Sequence, residues 1–135
     1  RTIHLLDLVV KQSTTFAPNA KAGPKPGDQA FSHDVVYRYD GAVKGAKLGT
    51  VEAILTFISK PDKSGLLTAD ITGQVFLAGG SLRFDGISKF GNGPAHVTLA
   101  IVGGTGTYAG ARGTLEIRDL DSTGMRSALD IHLLP

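Results

Sequence analysis

The sequence predicts an all-β protein whose strands form an eight-stranded antiparallel up-and-down β-barrel. Eight short runs rich in Val, Ile, Leu, Phe and Thr are separated by segments that carry Gly, Asn, Asp and Pro, which is the pattern of strands joined by turns. No window of a dozen residues has the 3.6-residue apolar periodicity of a helix without an interrupting Gly or Pro. Glycine makes up 18 of the 135 residues, about twice its average frequency of roughly 7%, as expected where most connections are tight turns.

The strands are predicted to follow one another as hairpins. They are residues 2–11, 29–38, 47–59, 66–77, 81–90, 95–102, 112–120 and 125–134. Turn sequences such as Asp40-Gly41 join them, and turns this short pair neighbouring strands antiparallel. The exception is the stretch STTFAPNAKAGPKPGDQ, because its prolines and glycines exclude regular structure. We expect residues 13–28 to form a surface loop that covers one end of the fold as a lid.

The first strand shows why a closed barrel is favoured over an open sheet. Apolar side chains occur on both of its faces, at odd positions from Ile3 to Val9 and at even positions from Leu6 to Val10. Closing eight strands into a tube removes the exposed edges and encloses a lumen that holds one small ligand or is filled by side chains. The outer apolar face then needs a cover, for which we expect a second subunit in a homo-oligomer, a dimer or a trimer. A two-sheet sandwich is the all-β alternative.

Composition and charge exclude several classes of function. Hydrophobic residues make up 41% and charged residues 19% of the chain, so residues 1–135 are expected to form a single domain with one core. The net charge is +2 and the 14 Lys and Arg residues are scattered, which argues against nucleic acid as a partner. No apolar run approaches the roughly 18 residues that cross a bilayer, so we expect no membrane span. Cysteine is absent, which rules out disulfides and thiol chemistry.

The first residues of the chain bear on where the protein is located in the cell. The first residue is Arg1 and the only methionine is Met125, so we expect that an upstream segment has been removed or omitted. A cleaved export signal would make the protein secreted or part of the cell envelope. Without such a signal we expect a cytoplasmic location.

The stretch IVGGTGTYAGARG, residues 101–113, combines β-branched residues with glycines in the manner of a nucleotide-binding loop. Such a loop needs a helix after the glycines, because the helix N-terminus holds the phosphates. Here Gly110 and Gly113 would break the first turns of a helix, and the following TLEIRDL alternates like a strand. We therefore predict a long turn between the sixth and seventh strands, with Tyr108 folded back onto one end of the barrel.

The same stretch resembles the GGTG-x-F/Y-x-x-ARG signature of plant dirigent proteins and of their bacterial relatives with an allene oxide cyclase-like barrel. The likeness extends through the opening H-x-x-D of His4 and Asp7, the PGDQ before the second strand and the GG turn before the fifth. The resemblance implies an eight-stranded barrel with a central, largely apolar cavity, commonly trimeric in plants and often exported in bacteria. The sequence has one aspartate, Asp34, where plant dirigent proteins have a pair, which disfavours the radical coupling of phenols.

Charged residues in apolar strands are the candidates for catalysis, because an unpaired charge in a barrel lumen is costly and is usually paired or functional. Asp7 shares a face with Leu5 and Val9. If that face is the lumen, a raised pKa would make Asp7 a general acid; the alternative is a structural pairing with an arginine or with backbone amides. Arg112 matches the arginine of the ARG signature, which in dirigent proteins helps to form the cavity. It either binds a ligand oxygen or pairs with Asp7 or Glu116.

Four further residues are candidates for the site. Glu52 lies in TVEAILTFI among neutral residues, so it either belongs to a hydrogen-bonding stripe of the lumen or points outward. Tyr37, Tyr39 and Tyr108 are candidate ligand contacts, with core packing as the alternative. The four histidines lack the spacing of a metal motif, so we expect neither a metal site nor a cofactor.

The resemblance, together with a closed cavity that contains these residues, implies a cofactor-independent cyclase or isomerase acting on a small apolar or phenolic metabolite in the barrel cavity. The walls would hold a flexible substrate in a productive conformation and exclude water. Asp7 or Glu52 would move a proton, and Arg112 would stabilise negative charge. The alternative is a barrel that binds without chemistry, as a carrier or as a dirigent-like protein that orients radicals.

Overall fold

The computed structural model describes residues 1–17, 23–91 and 93–135 and shows a closed antiparallel β-barrel. The strands follow one another around the barrel in chain order, and β8 (Arg126–Leu133) pairs with β1 (Thr2–Thr14) to close it. The others are β2 (Gln29–Tyr39), β3 (Lys44–Phe57), β4 (Leu67–Leu77), β5 (Gly80–Phe90), β6 (His96–Gly104) and β7 (Gly113–Asp119). In the described ranges the only helical segment is the 3-10 turn Gly106–Tyr108, and no helix is long and apolar enough to cross a membrane. The predicted barrel is confirmed, and the sandwich is excluded.

The two ends of the barrel differ in packing. We call the end that carries the β2–β3, β4–β5 and β6–β7 connections the lower end, and the opposite end the upper end. Inward apolar side chains fill the lower half of the lumen. They are Leu5, Val36, Val75, Leu82, Ile101 and Ile131, each no more than 2% exposed. This filled half stabilises the barrel, because burying one such side chain contributes about 1.5–3 kcal/mol.

The predicted lid loop begins later than expected, because β1 continues to Thr14 past a bulge between Val9 and Lys11. Residues 18–22 of the predicted loop lie outside the described residues. The described parts are tied to the upper end of β3: the Phe16 ring packs edge-on against Phe57 at a centroid distance of 5.6 Å, and a backbone bond of 2.8 Å joins residue 27 to residue 57. A lid function for this loop stays a prediction.

Part of the outer wall is covered by the chain itself. Leu6 and Ala128 face outward on paired strands and are buried with Tyr39 in a second, small apolar cluster. Tyr37 packs against this cluster. Other outward apolar side chains are exposed, such as Val10 at 62%. The predicted homo-oligomer, with a neighbouring subunit on this exposed wall, stays a prediction.

The glycine-rich stretch is a turn between β6 and β7, as predicted, and it packs against the β4–β5 hairpin. The Thr105 amide donates to the Ser81 carbonyl and the Thr107 amide donates to the Gly79 carbonyl, both at 2.9 Å. Gly106 has a φ of +58°, and a Cβ atom there would lie 2.2 Å from the Gly79 carbonyl oxygen. Glycine is required at this position both by the left-handed backbone and by the close approach of the hairpin.

Candidate functional site

The upper half of the lumen is hollow and contains a cavity of about 230 Å³. Its walls are mostly apolar. They include Val51, Leu55, Ile71, Phe84, Val97, Leu115, Ile117 and Leu129. Gln12, Phe90, Ala95 and Gly124 line it toward the upper end. The sequence leaves open whether the lumen holds a small ligand or is filled by side chains. The barrel combines the two, because its lower half is filled and its upper half is hollow.

Three aspartates line this apolar cavity: Asp7 of β1, Asp34 of β2 and Asp119 at the end of β7. The strand register brings them together. Val9 pairs with Asp34, which places Asp34 diagonally opposite Asp7 on the inward face. Ser127 of β8 pairs with both Asp7 and Asp119. The carboxyl groups thus converge from neighbouring strands around the barrel.

Two of the three carboxyl groups have hydrogen-bond partners in the same chain. The Ser32 hydroxyl donates to Asp34, two residues along the same face of β2. The Ser127 hydroxyl donates to Asp119 Oδ1 at 2.9 Å, and the Ala95 amide donates to Asp119 Oδ2 at 3.0 Å. Asp119 therefore ties the β5–β6 loop to β8 and has both oxygens occupied.

Asp7 differs from the other two. It is only 8% exposed, and its Oδ1 atom accepts no hydrogen bond from any described residue. Burial raises the pKa of its carboxyl group to about 9, with the neighbouring carboxyl group of Asp34 and the negative charge of Asp119 as further causes. Asp7 is consequently protonated at neutral pH. Within the described part of the chain, no Lys, Arg or His lines the cavity, and no three His, Asp or Glu side chains are placed to hold a metal ion.

Asp7 lies in the lumen, on the face that it shares with Leu5. Its prediction as a general acid depends on this face being the inward one. Arg112 does not join it there. Arg112 is an exposed loop residue before β7, at the lower end, and its Nη1 donates to the carbonyl of the preceding Ala111 at 2.8 Å. The expectation that Arg112 shares a site with Asp7 is wrong, because the ARG segment precedes the strand instead of pointing into the barrel.

Glu52 takes the outward alternative. Its neighbours Val51 and Ala53 line the cavity, so strand alternation puts Glu52 on the outer wall. There its carboxyl group is 56% exposed and hydrogen-bonds the imidazole of His33, the residue opposite it on β2. The lumen role considered for Glu52 is therefore corrected.

The three tyrosines lie away from the cavity. Tyr37 is on the outer wall, with Lys44 Nζ 4.5 Å from its ring centroid, and Tyr39 is buried in the outer cluster. Tyr108 folds back onto the lower end, as predicted, and the Arg1 guanidinium lies 5.7 Å from its ring centroid. None of the three tyrosines lines the upper cavity. Tyr108 lines a separate pocket at the lower end together with Arg112, and ligand contact there stays a prediction.

Sequence reasoning missed Asp34 and Asp119 as site residues. Asp34 shares a face with Ser32 and Val36, so the alternation argument that singled out Asp7 also applies to it. Asp119 ends its strand beside a polar turn, a position at which aspartate is ordinary. No signal in the sequence distinguishes it.

These features define an eight-stranded antiparallel barrel with an internal, acidic cavity. The family model of the allene oxide cyclase barrel-like domain matches residues 8–133. The chain belongs to this family. The resemblance carried by the glycine-rich stretch is thereby confirmed.

Solved structures share the fold at low sequence identity. Pyocyanin demethylase superposes with a TM-score of 0.78 at 20% identity, over 99% of this chain and 100% of that one. An exo-specific intermolecular Diels-Alderase gives 0.71 at 17% identity, over 98% and 96% of the two chains. A pterocarpan synthase dirigent protein gives 0.69 at 18% identity, over 98% and 92%. At these identities the likeness shows the fold alone. No curated protein shows significant similarity to the chain.

Proposed function

We propose that the protein is a cofactor-independent cyclase or isomerase that binds a small, largely apolar metabolite in the upper cavity and directs its cyclisation. The observation that carries the proposal is the Asp7 carboxyl group, which is buried in an apolar cavity with one oxygen unpartnered and whose pKa is raised by that burial. A polar group without a structural partner is costly to bury, and a perturbed pKa in a cavity marks candidates for function. The Diels-Alderase with the same fold supports this class of reaction.

Asp7 and Asp34 would move the proton as a pair. Both carboxyl groups are buried at the same cavity, and the raised pKa of Asp7 makes it the proton donor of the two. Transfer of that proton to a carbonyl oxygen or an alkene carbon of the substrate leaves both carboxyl groups charged. A proton lost elsewhere from the substrate then restores the pair, so the product is an isomer of the substrate and nothing else is consumed.

The cavity supplies the conformational part of the reaction. Its 230 Å³ is below the roughly 300–1,000 Å³ of clefts that hold drug-sized ligands, so the substrate is small or extends past the upper rim. The filled lower half gives the cavity a rigid floor. Holding reacting groups in a productive geometry contributes about 7–11 kcal/mol in the best intramolecular cases, and apolar walls keep water from a reactive intermediate.

The test is a search for isomerisation of acid-sensitive substrates. The chain would be incubated with C10 unsaturated aldehydes, citronellal first, because protonation of its carbonyl group leads to a cyclic isomer of the same mass. Gas chromatography with mass detection would follow both compounds. We expect a new isomer with the wild type, strong loss with Asp7→Asn, and no loss with Glu52→Gln, a matched acid-to-amide change on the outer wall.

Two results would contradict the proposal. Equal turnover by the wild type and by folded Asp7→Asn would remove Asp7 from the mechanism. Retention of the aldehyde in the barrel without conversion, seen by native mass spectrometry, would favour the carrier function.

A further inference from the structure

The charge of the upper cavity bears on the chemical class of its ligand. This inference concerns the same cavity and therefore rests on the proposed function. Three carboxyl groups line a space that is otherwise mostly apolar, and no basic side chain of the described residues faces them. Buried carboxylates are normally paired with a cation or with hydrogen-bond donors, so the question is which of the three lack such partners.

Asp119 is fully used within the chain. Its two oxygens accept hydrogen bonds from the Ser127 hydroxyl and the Ala95 amide, so it acts as a structural anchor that leaves its negative charge near the cavity. Asp34 receives a hydrogen bond from Ser32 on one oxygen only. Asp7 leaves Oδ1 without a partner.

Asp7 and Asp34 therefore present open acceptor capacity to the cavity. Asp7 is only 8% exposed and Asp34 only 5%, so bulk water does not compete freely for these oxygens. In such surroundings a charge attracts an opposite charge much more strongly than in water. A bound cation would also relieve the repulsion among the three carboxyl groups, which are close enough to act on one another electrostatically.

We propose that the cavity selects small, largely apolar molecules that carry a protonated amine, and that the amine binds between Asp7 and Asp34. An ammonium group has three donors and no acceptor, which matches oxygens that need donors. The apolar remainder of the ligand would pack against walls such as Val97 and Leu129. A carboxylate of the same shape would meet like charges in a site of low dielectric and be rejected.

The experiment compares three probes that share one ring and differ in charge: benzylammonium, benzyl alcohol and benzoate. The cavity has room for them, since an engineered cavity of about 150 Å³ holds benzene. Titrations of the ¹⁵N-labelled chain at pH 7, followed by amide shifts in strands β1, β2, β6 and β8, would give a dissociation constant for each probe. We expect benzylammonium to bind at least tenfold more tightly than benzyl alcohol, and benzoate to show no saturable binding.

Variants assign the preference to named residues. Asp34→Asn should reduce the advantage of benzylammonium over benzyl alcohol about tenfold, whereas Glu52→Gln, which removes a carboxylate from the outer wall, should leave it unchanged. Should Asp34→Asn fail to fold, Asp34→Ser, which removes the same charge, replaces it in the comparison. The preference should also persist between 50 and 300 mM salt, because buried charges are screened less than surface charges.

The outcomes separate this inference from the proposed function. Equal binding of the ammonium and the alcohol would overturn the charge selectivity and leave the cavity as a ligand site. Tightest binding of benzoate would overturn it as well. Failure of all three probes to bind would contradict both the selectivity and the proposed use of the cavity.

Discussion

Asp7 and Asp34 lie two register positions apart on paired strands, and both carboxyl groups are buried at the same apolar cavity. Burial, with the neighbouring carboxyl groups of Asp34 and Asp119 as further causes, raises the pKa of Asp7 to about 9. The barrel thus keeps a neutral carboxylic acid at a pH at which an exposed aspartate is ionised. A stable core would not need this arrangement, since an apolar residue at position 7 would satisfy the packing.

The first prediction concerns stability and pH. The unfolded chain releases the Asp7 proton near pH 4, whereas the folded chain keeps it to about pH 9. The folded state therefore binds more protons between these limits, and the free energy of unfolding falls as the pH rises through that window, by at most about 1.4 kcal/mol per pH unit from this group. The contribution is fully present below about pH 4 and lost by about pH 9.

Asp7→Asn should remove this dependence. Asparagine is neutral at every pH and can donate to Asp34, so the variant should gain stability over the wild type as the pH rises from 5 to 8.5. Urea unfolding of the wild type and of Asp7→Asn at several pH values measures this. An identical slope in Asp7→Asn would show that the carboxyl group titrates normally in the folded chain.

The second prediction concerns the space in the upper cavity. Val97 points into it from β6 and is nearly buried, so Val97→Phe should fill the cavity and abolish binding of small ring compounds. The barrel should stay folded, because the added atoms enter an empty volume and not a packed core. The control is Thr98→Phe, one residue along the same strand on the exposed outer face. Ligand titration and thermal unfolding of both variants measure the effect; unchanged binding in Val97→Phe would place the ligand elsewhere.

The third prediction concerns the glycine-rich turn. Gly106 and Gly110 both have left-handed backbone, with φ of +58° and +77°, but only Gly106 lies against another segment. Alanine at either position costs about 1–2 kcal/mol for the left-handed conformation. Gly106→Ala should lose a further ~1–3 kcal/mol, because a Cβ atom would lie 2.2 Å from the Gly79 carbonyl oxygen and the hairpin must move. Chemical denaturation of the two variants gives the difference directly, and equal losses would show that the contact with the hairpin is unimportant.

Side-chain alternation explains both the success and the failure of the sequence at the site. It grouped Asp7 with Leu5 and Val9 on one face of β1, and it left open whether that face is the lumen, which the structure shows it to be. It could not place Glu52, because alternation shows which residues share a face but not which face is inward. The inward face of β3 is the one that carries Val51 and Ala53, which line the cavity with residues of the other strands. Arg112 belongs to a loop, where alternation does not apply, and Asp119 joins the site only through its pairing with Ser127. The barrel itself was predictable because it requires only local turns between consecutive strands.

The last prediction concerns the floor of the cavity, where Phe84 meets Gly73. Phe84 is 2% exposed, and a Cβ atom on Gly73 would lie 2.6 Å from its Cζ atom, so the ring lies directly over the glycine. Phe84→Ala should cost about 3–5 kcal/mol and join the lost volume to the cavity, so the variant should bind larger ring compounds than the wild type. Phe76→Ala is the matched control, since that ring lies on the outer wall and is 41% exposed; we expect it to cost less than about 1 kcal/mol. Unfolding curves and titration with benzylammonium and its naphthyl analogue distinguish the cases. A loss of stability in Phe84→Ala without a gain in ligand size would mean that the barrel collapses into the space, and the filled half would then be less rigid than its packing implies.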